Sequence, residues 1–258
     1  MTDLRVTSKD GTSIAYERVG SGPALVLVGG GAVDRSENVP LGPELAEHFT
    51  VFNYDRRGRG GSGDTLPYAL EREFEDLAAL IDVAGGSAHL FGASSGGALA
   101  MEAAVAGLPI GKLAVYEVPY MVGEVMQERW HEYVARLHTL LGQGRRGDAF
   151  ELFMRLAGSP DAQIAAAKES PHWPGCEAIA HTLAYDAACI GDGPPPTDRL
   201  ERIMQPTLVV TGGGNDFFEQ AADAILAGVP RAERHVLDGV GHAVEAKVLA
   251  PVLLEFLR

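Results

Sequence analysis

Gly92-Ala93-Ser94-Ser95-Gly96 sets a serine between two glycines at the spacing G-x-S-x-G. A short apolar run, Ala88-His89-Leu90-Phe91, leads into it, and a helix-forming run, Ala98-Leu99-Ala100-Met101-Glu102-Ala103-Ala104, follows. Strand, tight turn and helix in that order hold the serine in a strained backbone conformation. Its hydroxyl is then thrown outward at the positive end of the following helix. Side chains two residues before or after it would collide with neighbouring backbone, which is the reason for Gly92 and Gly96. Glycine supplies 32 of 258 residues, so the spacing alone is weak, and the flanking strand and helix give it meaning. Ser95 competes for the role, but the glycine spacing selects Ser94. The chemistry is nucleophilic attack: a serine hydroxyl must lose its proton as it attacks, and needs a base nearby to take it.

The elements that would position this turn alternate strand and helix. Strands are expected at 4–8, 12–18, 24–28, 50–54, 112–116, 206–211 and 234–237, besides the run before Ser94. Ala24-Leu25-Val26-Leu27-Val28 is apolar throughout, as a strand buried on both faces requires, and it ends in Gly29-Gly30-Gly31. Helices are expected at 41–48, 68–83, 219–227 and 244–257. Such alternation gives a mostly parallel sheet flanked by helices, an α/β fold. Residues 121–197 break the pattern with helices at 124–141, 146–156 and 173–190 and no convincing strand. They are expected to form a cap inserted into a core made of 1–120 and 198–258, lying over the carboxyl edge of the sheet. Removing the cap should change substrate choice more than it harms the sheet. The loop Asp55-Arg56-Arg57-Gly58-Arg59-Gly60-Gly61-Ser62-Gly63 is basic, and its arginines are expected to pair with carboxylates rather than to hold phosphate.

The formal net charge of −14 argues against nucleic acid and anionic membranes as partners, because both would repel the chain. The expected partner is a small-molecule substrate, and a homodimer is left open. No signal-like apolar segment opens the chain and no apolar run of membrane-spanning length is present, so a cytoplasmic protein is expected. Cys176 and Cys189 lie in no metal-ligand spacing and are read as reduced thiols, so no metal or cofactor is expected.

Five features together resemble the α/β-hydrolase family. They are the strand ending in Gly29-Gly30-Gly31, the stretch Tyr54-Asp55-Arg56-Arg57-Gly58-Arg59-Gly60-Gly61-Ser62, the Ser94 motif, Pro206-Thr207-Leu208-Val209-Val210, and Gly239-Val240-Gly241-His242 before the last helix. The resemblance covers nearly all the chain outside the cap. It implies Ser94 as nucleophile and His242 as general base, with backbone N–H groups of Gly31 and Ser95 as the oxyanion hole. Gly29-Gly30 stands where family members often carry His-Gly, which removes a side chain that braces the loop. His89 and His235 lie within strands, His48 on a surface helix, and His131, His138, His172 and His181 in the cap.

A triad also needs a carboxylate to hold the histidine tautomer. At the usual family position, Gly212-Gly213-Gly214-Asn215, the acid is replaced by Asn215, and Asp216 follows one residue late. Glu117, directly continuing the apolar strand in Val115-Tyr116-Glu117, is favoured over Asp216, because an unpaired charge there would be costly to bury. The alternative for Glu117 is an ion pair with Arg56 or Arg57. The implied activity is a serine hydrolase cleaving an ester or related acyl bond. C–C hydrolysis, perhydrolysis and a non-hydrolytic ligand-binding, cyclase or lyase role on the same fold are the competing readings.

Overall fold

The computed structural model describes residues 3–258. Eight strands pair into one sheet: β1 (Leu4–Thr7), β2 (Ser13–Gly20), β3 (Ala24–Val28), β4 (Thr50–Tyr54), β5 (Ala88–Ala93), β6 (Ile110–Tyr116), β7 (Thr207–Thr211) and β8 (Ala232–Val236). Their spatial order is β1-β2-β4-β3-β5-β6-β7-β8. β2 runs antiparallel to β1 and β4, and every other pairing is parallel. This is the mostly parallel α/β architecture expected from the alternation.

Side chains of β3 alternate between two apolar layers. Leu25 and Leu27 pack with α1 (Leu41–Leu45) and, from the far end of the chain, the helix Ala246–Leu257. Val26 and Val28 face the layer of α2 (Leu70–Val83) and α3 (Ser95–Val105). All five residues of β3 and all five of β7 are buried, as strands covered on both faces require.

Six helices separate β6 from β7: α4 (Glu124–Gly142), α5 (Arg146–Leu156), α6 (Asp161–Glu169), α7 (Trp173–Ile179), α8 (Leu183–Ile190) and α9 (Thr197–Leu200). The single helix expected over 173–190 is broken by a 3₁₀ turn, Ala180–Thr182. There the Thr182 hydroxyl donates to the Ile179 carbonyl (2.7 Å) and accepts from Arg59 Nε (3.0 Å). Beyond this break α8 packs on α3. The helix α6 was not anticipated, because Ile164 is its one buried residue and leaves no apolar stripe to read. The remaining helices, α10 (Asp216–Gly228) and α11 (Ala246–Leu257), flank β8. Among the described residues no helix is long and apolar enough to cross a membrane.

The basic loop after β4 is held by carboxylates, as its composition suggested. Arg56 donates to both oxygens of Glu73 (2.8 and 2.6 Å), and Arg57 to both oxygens of Asp76 (2.8 and 2.7 Å). Both guanidiniums are buried, and such two-pronged pairing is what makes their burial tolerable.

Candidate active site

Ser94 sits between β5 and α3 with φ 54° and ψ −128°, in the left-handed region that a serine rarely adopts. The neighbouring backbone explains both glycines. A Cβ on Gly96 would fall on the carbonyl oxygens of Val28 and Gly29, and one on Gly92 would fall on the Gly96 carbonyl. The turn is pinned by the Ser94 N–H, which donates to the Tyr116 carbonyl at 2.9 Å. Among the described residues, the other non-glycines with left-handed φ are Ala32 (55°) and Glu117 (46°). All three border this site, where such strain concentrates.

Glu117 follows the last residue of β6, and its N–H donates to the Val210 carbonyl (3.0 Å). Its buried carboxylate has one oxygen 2.6 Å from His242 Nδ1, while the other accepts the Gly212 N–H at 3.0 Å. The ion pair with Arg56 or Arg57 does not form, since both arginines are taken by Glu73 and Asp76. Phe218 stacks on the His242 ring, with centroids 4.7 Å apart and planes 3° from parallel. The Tyr116 hydroxyl donates to the Gly241 carbonyl (2.6 Å) and ties down the loop that carries the histidine. Among the described residues no hydrogen bond links His242 to the Ser94 hydroxyl, and the histidine side chain is 47% exposed. Without substrate such pairs are often long.

Asp216 is not brought to the histidine. It is exposed at the first turn of α10, where Asn215 is the N-cap and accepts from the Phe217 N–H. The one-residue displacement puts its carboxylate on the helix terminus instead of the sheet edge. His89 is a packed strand residue whose Nδ1 accepts the Lys112 N–H (2.9 Å). Burial, and then the Lys112 charge, push its pKa down.

Gly31 and Ser95 lie on facing elements, the loop after β3 and the first residue of α3. A Cβ on Gly31 would stand 3.5 Å from Ser95 Oγ. Glu37 accepts the Gly30 N–H (2.9 Å), and Arg59 donates to the Gly30 carbonyl (2.6 Å). These two side chains do the bracing that Gly29 cannot. Desolvation raises the Glu37 carboxyl above its ordinary range, partly offset by the Gly30 hydrogen bond and the nearness of His242 and Arg59. Asp186 of α8 also enters the site, bound to Arg56, Arg59, Ser95 and Ala32. Neither Glu37 nor Asp186 was anticipated. Asp186 was findable: in Ala-Tyr-Asp-Ala-Ala-Cys-Ile it is an acid within an apolar run, the signal that singled out Glu117. Glu37, on a short 3₁₀ turn, has no comparable signature.

A pocket of about 560 Å³ opens beside the histidine, lined by His242, Glu37, Leu41, Phe91, Ala93 and Tyr116 among others. Its lining includes His242 but neither Ser94 nor Gly31, so the pocket adjoins the serine rather than containing it.

A family model described as "Alpha/beta hydrolase family" matches residues 25–250. The crystal structure of an alpha/beta hydrolase from Sphaerobacter thermophilus is 48% identical with a TM-score of 0.89, over 99% of this chain and 100% of that one. A pimeloyl-[acyl-carrier protein] methyl ester esterase of Xanthomonas campestris is 29% identical over 87% of this chain and 90% of its own length. The enol-lactonase from Burkholderia xenovorans, 22% identical with a TM-score of 0.72 over 98% of this chain and 99% of that one, shares the fold.

Proposed function

The chain belongs to the alpha/beta hydrolase family, and from that premise we propose that it is a serine hydrolase cleaving an ester or related acyl bond of a small molecule. One observation carries this reading: a buried carboxylate 2.6 Å from His242 Nδ1, at the same sheet edge as a serine on a strained turn. In the proposed cycle Ser94 attacks the carbonyl carbon as His242 Nε2 takes its proton, and Glu117 holds the Nδ1–H tautomer and balances the imidazolium. The Gly31 and Ser95 N–H groups receive the oxyanion. The tetrahedral intermediate collapses, His242 protonates the leaving alcohol, and water repeats the sequence on the acyl-enzyme to release the acid. The helices between β6 and β7 act as a cap that selects substrate. The pimeloyl ester relative supports an ester as the bond cleaved. Two free cysteines suit a reducing, cytoplasmic setting.

The test is labelling by a fluorophosphonate probe together with hydrolysis of p-nitrophenyl esters of rising chain length. Wild type should be labelled and should turn over. Ser94→Ala should remain folded, resist labelling and lose about 10³-fold or more in kcat. A Ser94→Ala protein that keeps its activity would place the nucleophile elsewhere.

A further inference from the structure

The loop after β3 shows an alternation in its backbone donors. The Gly30 N–H goes to Glu37 Oε2 (2.9 Å) and the Ala32 N–H to Asp186 Oδ2 (3.1 Å). Between them, the Gly31 N–H meets no acceptor among the described residues. Asp186 reaches the facing side as well, since its Oδ1 accepts from the Ser95 hydroxyl at 2.9 Å. One carboxylate thus bridges the loop carrying Gly31 and the residue carrying the other N–H donor. It is itself held by Arg56 Nη1 and Arg59 Nη2, both at 2.7 Å from Oδ1. Arg59 closes the ring through the Gly30 carbonyl at 2.6 Å.

The charges make this arrangement workable. Burial alone would raise the Asp186 carboxyl, but Arg59 and Arg56, with hydrogen bonds from Arg59 and Ser95, hold it below the ordinary carboxylate range. An ionised carboxylate is an acceptor only, which suits a site where every partner is a donor. With Glu73 on Arg56, two guanidiniums face two carboxylates, so the Asp186 charge is compensated by its own partners.

We propose that Asp186 is a positioning residue for the oxyanion hole, fixing the Gly31 and Ser95 sides at working separation, so that helix α8 of the inserted segment sets transition-state binding. The proposal rests on the serine-hydrolase reading. An oxyanion hole works by donors fixed before the charge arrives, and a small misplacement costs rate without costing substrate binding.

The experiment uses the full chain with Asp186→Asn, at a temperature where circular dichroism shows both proteins folded. Asparagine keeps the shape but must turn its NH₂ toward the Ala32 N–H or toward the guanidiniums. The expected result is a loss of about 10²-fold in kcat on p-nitrophenyl acetate with KM within about threefold. The Ki of a trifluoromethyl ketone, which forms a tetrahedral oxyanion adduct on the serine, should rise in parallel. The Ki of the product acid should stay put. A merely structural role would lower the melting temperature and leave kcat and both Ki values unchanged in the folded protein, which overturns the proposal. If Asp186→Asn does not fold, Ser95→Ala decides: it removes one hydrogen bond to Asp186 and keeps the Ser95 N–H. It should cost about 3- to 10-fold in kcat and in the ketone Ki, and values within twofold of wild type overturn the proposal. Wild type that resists the fluorophosphonate refutes the serine-hydrolase reading, whereas labelled, active wild type with an unimpaired Asp186→Asn refutes the positioning role alone.

Discussion

Glu117→Gln separates the proposed acid from its alternative, and the geometry gives the size of the effect. The two carboxylate oxygens serve two donors, His242 Nδ1 at 2.6 Å and the Gly212 N–H at 3.0 Å. Glutamine has one oxygen and one NH₂, so one contact must become donor against donor or the histidine must change tautomer. Turning the NH₂ toward Gly212 leaves a buried donor unsatisfied, at about 1–3 kcal/mol. Turning it toward His242 avoids that cost but makes Nδ1 the acceptor and moves the proton to Nε2, where it blocks the Ser94 proton. The energy gap makes the working tautomer roughly 5- to 150-fold scarcer. Loss of the negative charge that stabilises the imidazolium adds to this, for a total near the roughly 10⁴-fold known for an acid-to-amide change in such triads. That is about 5.5 kcal/mol of activation free energy. The assay is initial-rate hydrolysis of p-nitrophenyl acetate, with circular dichroism to show that the variant is folded. Asp216→Asn, at an exposed helix terminus, is the control and should stay within twofold. A folded Glu117→Gln enzyme within tenfold of wild type, or an Asp216→Asn enzyme equally crippled, would refute the reasoning.

Gly96→Ala drives a methyl onto the Val28 and Gly29 carbonyls, so the chain should lose several kcal/mol of stability or fail to express in soluble form; an unchanged melting curve would contradict the packing described. Asp10 accepts from the Thr12 N–H and pairs with Arg57 and Arg72; burial would raise its carboxyl, but these contacts hold it well below the ordinary carboxylate pKa. Its stabilisation is therefore present above about pH 4 and lost as the pH falls further, so Asp10→Asn should cost about 2 kcal/mol at pH 7 and progressively less toward pH 2; a difference that grows in acid would reverse the sign. Excising 121–197 should give no soluble folded core, because Arg56 and Arg59, 2% and 1% exposed, lose Asp186; a monodisperse, cooperatively melting core would show that the insert is separable.

That last expectation departs from what the sequence suggests. The segment reads as a cap because its helices lack strands between them, but periodicity cannot show that one of its acids is built into the carboxyl edge of the sheet, joining the loop after β3 to the start of α3. The sheet itself was legible, since β3 is an unbroken apolar run and β7 carries Leu208-Val209-Val210 between two β-branched threonines, segments suited to burial on both faces. Ser94 was legible because the steric demand of its turn is written into Gly92 and Gly96. Glu117 was legible because a charge continuing an apolar strand needs a partner, and the family resemblance offered His242; the alternative pairing with Arg56 or Arg57 fell only when the folded chain showed both arginines on Glu73 and Asp76. The split of 173–190 into two helices was invisible locally, and the Arg59 hydrogen bond that Thr182 accepts at the break spans 123 residues.

Ala32, Ser94 and Glu117 hold left-handed backbone conformations that cost on the order of 1–3 kcal/mol each. A domain of this kind has a net stability of only about 5–15 kcal/mol. Heat tolerance and activity therefore compete at the same three positions. Glycine at Ser94 relaxes the turn, so a library ranked by thermal survival alone will be enriched for Ser94→Gly, a sturdier protein without the proposed nucleophile, whereas Glu117→Gly gives the gain back by leaving the buried Gly212 N–H without its acceptor. Engineering this scaffold for hotter conditions should hold those positions fixed and look for stability among the exposed side chains of α4 to α6, where the backbone carries no such tension.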